Sequence, residues 1–113
     1  KEFETLLQRA CHFAGGIAKN VYVLSIPDWG VTPFAKERDA GKIAIEIDAY
    51  NAVCERISGK YNTHFINITS SQRADAADAA FLAADGLHPS GKEYEKWAGK
   101  LAGMIWRNVE CKM

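Results

Sequence analysis

Val21-Tyr22-Val23-Leu24-Ser25-Ile26 is a short apolar run rich in β-formers and ended by Pro27, and the rest of the chain is read outward from it. A run that is apolar on both faces fits a strand buried in a parallel sheet, where helices cover each side. Downstream, Ile43, Ile47, Tyr50, Cys54 and Ile57 recur at helical spacing and close near Gly59, which predicts a helix. His64-Phe65-Ile66-Asn67-Ile68 then reads as a second strand. Asn67 and Thr69 make it the more polar of the two, as at an edge or a strand end. Strand, helix, strand in this order predicts a parallel βαβ unit with a right-handed crossover. Between the first strand and its helix, residues 28–41 form a long loop with Trp29, Gly30, Pro33 and several charges. Loops at the C-terminal ends of parallel strands are where α/β proteins place ligands.

On the N-terminal side, Phe3, Leu6, Leu7, Ala10 and Ala14 mark a first helix, stopped by Gly15-Gly16. On the C-terminal side, the alanine-rich stretch Ser71 to Ala84 reads as a short surface helix. Tyr94, Trp97, Ala98, Leu101, Met104 and Ile105 mark a strong final amphipathic helix, with Ser90 and Glu93 spaced as a capping box at its start. The order is thus α-β-α-β-α, an α/β chain of one domain over residues 1–113. Two strands with helices leave sheet faces and edges uncovered. That alone points to part of a larger α/β domain, or to self-association in which a second copy covers the edge. Lys1 stands where an initiator Met would, so the gene is expected to start upstream.

The 113 residues suffice for one modest core. Lys plus Arg equals Asp plus Glu, 14 against 14, and no basic stripe or charge block occurs. That argues against nucleic acid or an anionic membrane as the main partner, since both need clustered positive charge. No apolar run is long enough to span a bilayer, and no signal peptide is visible. Cys11, Cys54 and Cys111 cannot close a disulfide framework and contain no CxxC pair. They read as two small core residues and a tail thiol, with a cytoplasmic, reducing setting the better fit.

The segment with chemical potential is Asp85-Gly86-Leu87-His88-Pro89-Ser90-Gly91, just ahead of the final helix. An Asp three residues before a His, across a turn made by Gly86, can bring its carboxylate to the imidazole. That contact fixes the tautomer and stabilises the imidazolium. Pro89 stiffens the turn and keeps His88 outside the helix. D-x-x-H admits three readings: a structural brace, a catalytic dyad, or two metal ligands. The last wants a third ligand, and neither His12 nor His64 is placed to be one. Ser90 reads as a helix cap and Ser25 as a strand residue.

In context, the pattern D-G-x-H-P-S/N-x-x-G/E-Y, met here by Asp85 to Tyr94 and followed by a closing helix, resembles the last sequence block of SGNH/GDSL hydrolases. Leu24-Ser25-Ile26-Pro27-Asp28-Trp29-Gly30 resembles that family's strand leading to a proline-bearing substrate loop, and Tyr50-Asn51 is similar to a pair recurring in its following helix. The resemblance covers nearly the whole chain in the right order. It implies a three-layer αβα, flavodoxin-like fold, of which this chain is the C-terminal α-β-α-β-α portion. It implies that Asp85 and His88 are the acid and base of a Ser-His-Asp triad acting on small-molecule esters. No metal or organic cofactor is implied. Trp29 and Phe34 could line an acyl or alcohol pocket, although packing weighs more for Trp29.

The family's Gly-Asp-Ser nucleophile block and G-x-N-D oxyanion block are absent. Ser25, Ser58, Ser70, Ser71 and Ser90 lack the nucleophile's setting, and Asn20, Asn62 and Asn67 lack the oxyanion asparagine's. The expected partner is therefore the missing N-terminal half, and the chain alone is expected to be inactive. The competing reading is a non-catalytic α/β binding or assembly module in which Asp85 and His88 only brace a loop.

Overall fold

The computed structural model describes residues 1–112, with side chains described through residue 110. Helix α1 (Glu2–Phe13) is followed by a 3-10 turn, Ala18–Asn20, and strand β1 (Tyr22–Leu24). Two 3-10 turns, Trp29–Val31 and Pro33–Ala35, lead to α2 (Ala40–Lys60). Strand β2 (His64–Ile66), the short α3 (Thr69–Ala74), a 3-10 turn at Ala79–Phe81 and α4 (Gly91–Lys112) complete the chain. This is a mixed α/β chain.

Strands β1 and β2 are parallel, with Tyr22 opposite His64, Val23 opposite Phe65 and Leu24 opposite Ile66. Ser25 N–H donates to Ile66 O at 2.9 Å and extends the ladder by one bond. The crossover helix starts where expected because Asp39 caps it, its carboxylate accepting from Lys42 N at 3.0 Å. It ends at Tyr61, and Asn62 takes the left-handed conformation (φ 61°) that turns the chain into β2. Helix α1 lies against the end of α2, tied by Lys60 Nζ to Glu4 and by Gln8 Nε2 to the Tyr61 hydroxyl. Helix α4 reaches β1 through Asn108 Nδ2, which donates to the Tyr22 hydroxyl at 2.8 Å.

The buried apolar core is small: Leu7, Ala35, Ile47, Ile57, Ile66 and Ile68. Leu6, Phe13, Ile45, Tyr50 and Trp106 are each more than half exposed. The radius of gyration is 15.6 Å, against about 13 Å expected for a compact domain of this length.

Four expectations are corrected. Neither three-residue strand is buried on both faces, and β1 is only half-covered. Ser71 to Ala84 is not one helix: α3 stops at Ala74, and Asp78 caps a separate 3-10 turn by accepting from Ala80 N at 2.9 Å. The capping box does not form. Ser90 Oγ donates instead to Ala80 O at 2.6 Å, and the Glu93 carboxylate turns inward to Trp97 Nε1 and Lys96. Cys11 and Cys54 are unpaired and half-buried rather than core residues; the Cys111 side chain lies outside the described residues.

Candidate functional site

The Asp85–His88 turn is built by its own backbone first. Gly86 sits at φ 69°, a conformation side-chain-bearing residues rarely adopt, and the chain reverses there. Asp85 Oδ1 accepts from Leu87 N and His88 N, both at 2.9 Å. The other oxygen, Oδ2, is hydrogen-bonded to His88 Nδ1. The turn closes as a small antiparallel loop, with Ala83 N–H donating to His88 O at 2.8 Å, Ser90 N–H to Phe81 O at 3.0 Å, and Leu82 bridging Pro89.

This geometry settles the electrostatics. The His88 ring and the two backbone N–H groups hold the Asp85 carboxyl down at about 2. Its folded value lies below the unfolded one, so the stability it contributes is present above the ordinary carboxylate range. That stability should fade as pH falls from about 4 toward 2. An acid titration of the folded chain followed by carboxyl ¹³C shifts should show Asp85 titrating at the bottom of that window. With Nδ1 engaged by the carboxylate, neutral imidazole is held as the Nδ1–H tautomer, leaving Nε2 as the basic nitrogen. The His88 side chain is 67% exposed and no described side chain bonds Nε2. The arrangement can accept a proton at Nε2 and return it.

The loop after β1 lies beside this turn. Phe34 N–H donates to Gly86 O at 3.2 Å. Trp29 and Phe34 meet edge to face at 6.4 Å. Trp29 also lines an apolar cavity of about 60 Å³ together with Leu87 and Pro89, the residues flanking His88; Phe34 does not line it. Both aromatic residues thus lie close to the dyad's turn. Ser25 does not: it is buried beyond β1, where its Oγ accepts from Ile68 N and Thr69 N and contacts Thr69 Oγ1 at 2.7 Å. No described serine is bonded to His88.

An ion-pair network that the sequence did not announce fixes the same loop. Asp28 is fully buried; its Oδ2 accepts from Arg73 Nε at 2.8 Å and its Oδ1 from Gly30 N at 2.9 Å. Arg73 Nη1 reaches Asp48 on α2 at 2.8 Å. Gln72 holds the Asp28 backbone from both sides, accepting from its N–H and donating to its O, each at 2.9 Å. The D-x-G spacing of Asp28 and Gly30 was the available sequence signal, since Asp side chains commonly cap the backbone two residues on.

Among the described residues no cluster of three or more His, Cys, Asp or Glu side chains could hold a metal ion, and no helix is long and apolar enough to cross a membrane. No protein-family model, curated protein or solved structure matches this chain. The class that fold and site define is therefore a mixed α/β chain carrying an exposed Asp–His pair.

Proposed function

We propose that this chain supplies the acid and base of a Ser-His-Asp ester hydrolase of the SGNH type, within a flavodoxin-like three-layer domain. One observation carries the reading: Asp85 is locked by two backbone N–H groups and hydrogen-bonded to His88 Nδ1, while the His88 side chain is largely exposed and no described side chain bonds its Nε2. Triads need that division of labour. His88 Nε2 takes the proton of a serine hydroxyl as it attacks the ester carbonyl, then gives it to the departing alcohol. Asp85 stays ionised, orients the ring and offsets its charge. The strongly acidic Asp85 suits this role.

The serine and the oxyanion donors come from a segment outside these residues. The open sheet, the small core and the exposed Phe13, Ile45 and Trp106 support such a segment packing here. Loss of a single oxyanion donor costs on the order of 10²- to 10³-fold in rate. The 113-residue chain alone should therefore hydrolyse an aryl acetate no faster than buffer does. A burst of product stoichiometric with the chain would contradict the proposal.

A second reading, a binding or assembly module, draws on the same turn. Asp85 Oδ1 also ties the turn's backbone together, as a purely bracing residue would. A second copy packed on the open sheet would fit that reading, and light scattering after size exclusion would detect it.

A further inference from the structure

The Asp85–His88 turn is exposed, and nearly all of its hydrogen bonds are local. Among the described residues, the one that reaches residues 83–88 from a distant segment is Phe34 N–H to Gly86 O, at 3.2 Å. A dyad is useful only if its ring stays aimed, so what holds Phe34 matters.

Phe34 lies in the 3-10 turn Pro33–Ala35, which follows directly from the turn Trp29–Val31. Thr32 joins the two, its Oγ1 donating to Trp29 O at 2.6 Å. The first turn begins at Asp28, whose carboxylate caps it through Gly30 N. Asp28 is held by Arg73, whose guanidinium spans Asp28 and Asp48, both at 2.8 Å, with Nη2 donating to Ala44 O at 3.4 Å. The path thus runs from α2 and α3, through a buried carboxylate and two tight turns, to the backbone of the dyad.

We propose that Arg73 is a positioning residue: through Asp28 and the 29–35 segment it holds the Asp85–His88 turn in its working geometry. This rests on the hydrolase reading for its purpose, but the mechanical claim stands on the hydrogen bonds alone. Asp28 anchored by a planar, two-sided guanidinium gives the loop one orientation, which a single point charge reproduces only in part.

The test is carboxyl ¹³C titration of Asp85 in the protein as its gene encodes it, with the methyl and amide spectrum reporting the fold. In Arg73→Met, the Asp85 midpoint should rise from about 2 by roughly one pH unit as its hydrogen bonds loosen. Arg73→Lys should restore part of that change. Should Arg73→Met fail to fold, Thr32→Val decides, because it removes only the mid-path hydroxyl at nearly constant volume. A smaller rise in the same direction is then expected. An Asp85 midpoint still at about 2 in every folded variant would overturn the proposal and leave Arg73 a stabilising residue only. Failure of the hydrolase reading would look different: the titration would move as described while the full gene product showed no esterase activity.

Discussion

Replacing His88 with Ala in the protein as its gene encodes it is expected to lower hydrolysis of an aryl acetate by roughly 10³- to 10⁴-fold. The melting temperature should be unchanged within error. The activity loss follows because Nε2 is the ring nitrogen that Asp85 does not engage, on a side chain that is 67% exposed. Without it the serine must lose its proton to water. The unchanged melting temperature follows from exposure: among the described residues the ring's hydrogen bond is to Asp85 alone, at the surface. The bracing alternative inverts both outcomes, giving a lowered melting temperature and no activity to lose. Asp85→Asn separates the roles further, since it keeps the size of the side chain but can hold the wrong imidazole tautomer. It should cost roughly 10²-fold or more in kcat, with KM little changed.

The second large effect is on stability. Asp28→Ala should destabilise the chain by about 3 to 5 kcal/mol in urea denaturation, because it leaves the Arg73 guanidinium facing a buried void and unpaired on that side. Asp28 has no exposed surface, so water cannot replace the lost carboxylate. Asp48→Ala removes the other arm of the same guanidinium. Asp48 is 60% exposed, and solvent screens it, so the loss there should stay below about 1 kcal/mol. Equal losses at the two positions would mean that the network is not organised around the buried carboxylate.

Periodicity exposed the long helices because they bury a stripe: Ile47 and Ile57 of α2 are buried, and Trp97, Leu101 and Met104 of α4 are half-buried. The two strands were legible as apolar runs, but their pairing spans only three residues each. Ser25 adds one last ladder bond through its N–H to Ile66 O, and its hydroxyl turns to the backbone of residues 68 and 69, where the pairing stops. The alanine-rich stretch misled because helix propensity without an apolar face is weak, and Asp78 offers the backbone a competing cap. The capping box misled for a different reason. The buried Glu93 carboxylate found the half-buried Trp97 indole and Lys96 ammonium, and Ser90 found Ala80 O, partners that spacing alone does not reveal.

The Asp85–His88 contact was legible because it is local: three residues and one glycine turn set it. The Asp28–Arg73 pair joins residues 45 apart and depends on how α3 packs beside the loop, so no pattern in the chain foretold it. Trp29 and Phe34 were singled out from their loop, and both lie near the dyad's turn. Their contact with an acyl or alcohol group belongs to the hydrolase proposal.

The most direct measurement is mass spectrometry of the gene-encoded protein after exposure to a fluorophosphonate. The account predicts one adduct, on a serine outside these 113 residues, and its disappearance in His88→Ala. No serine adduct in the unmutated protein, or equal labelling with and without His88, would contradict it.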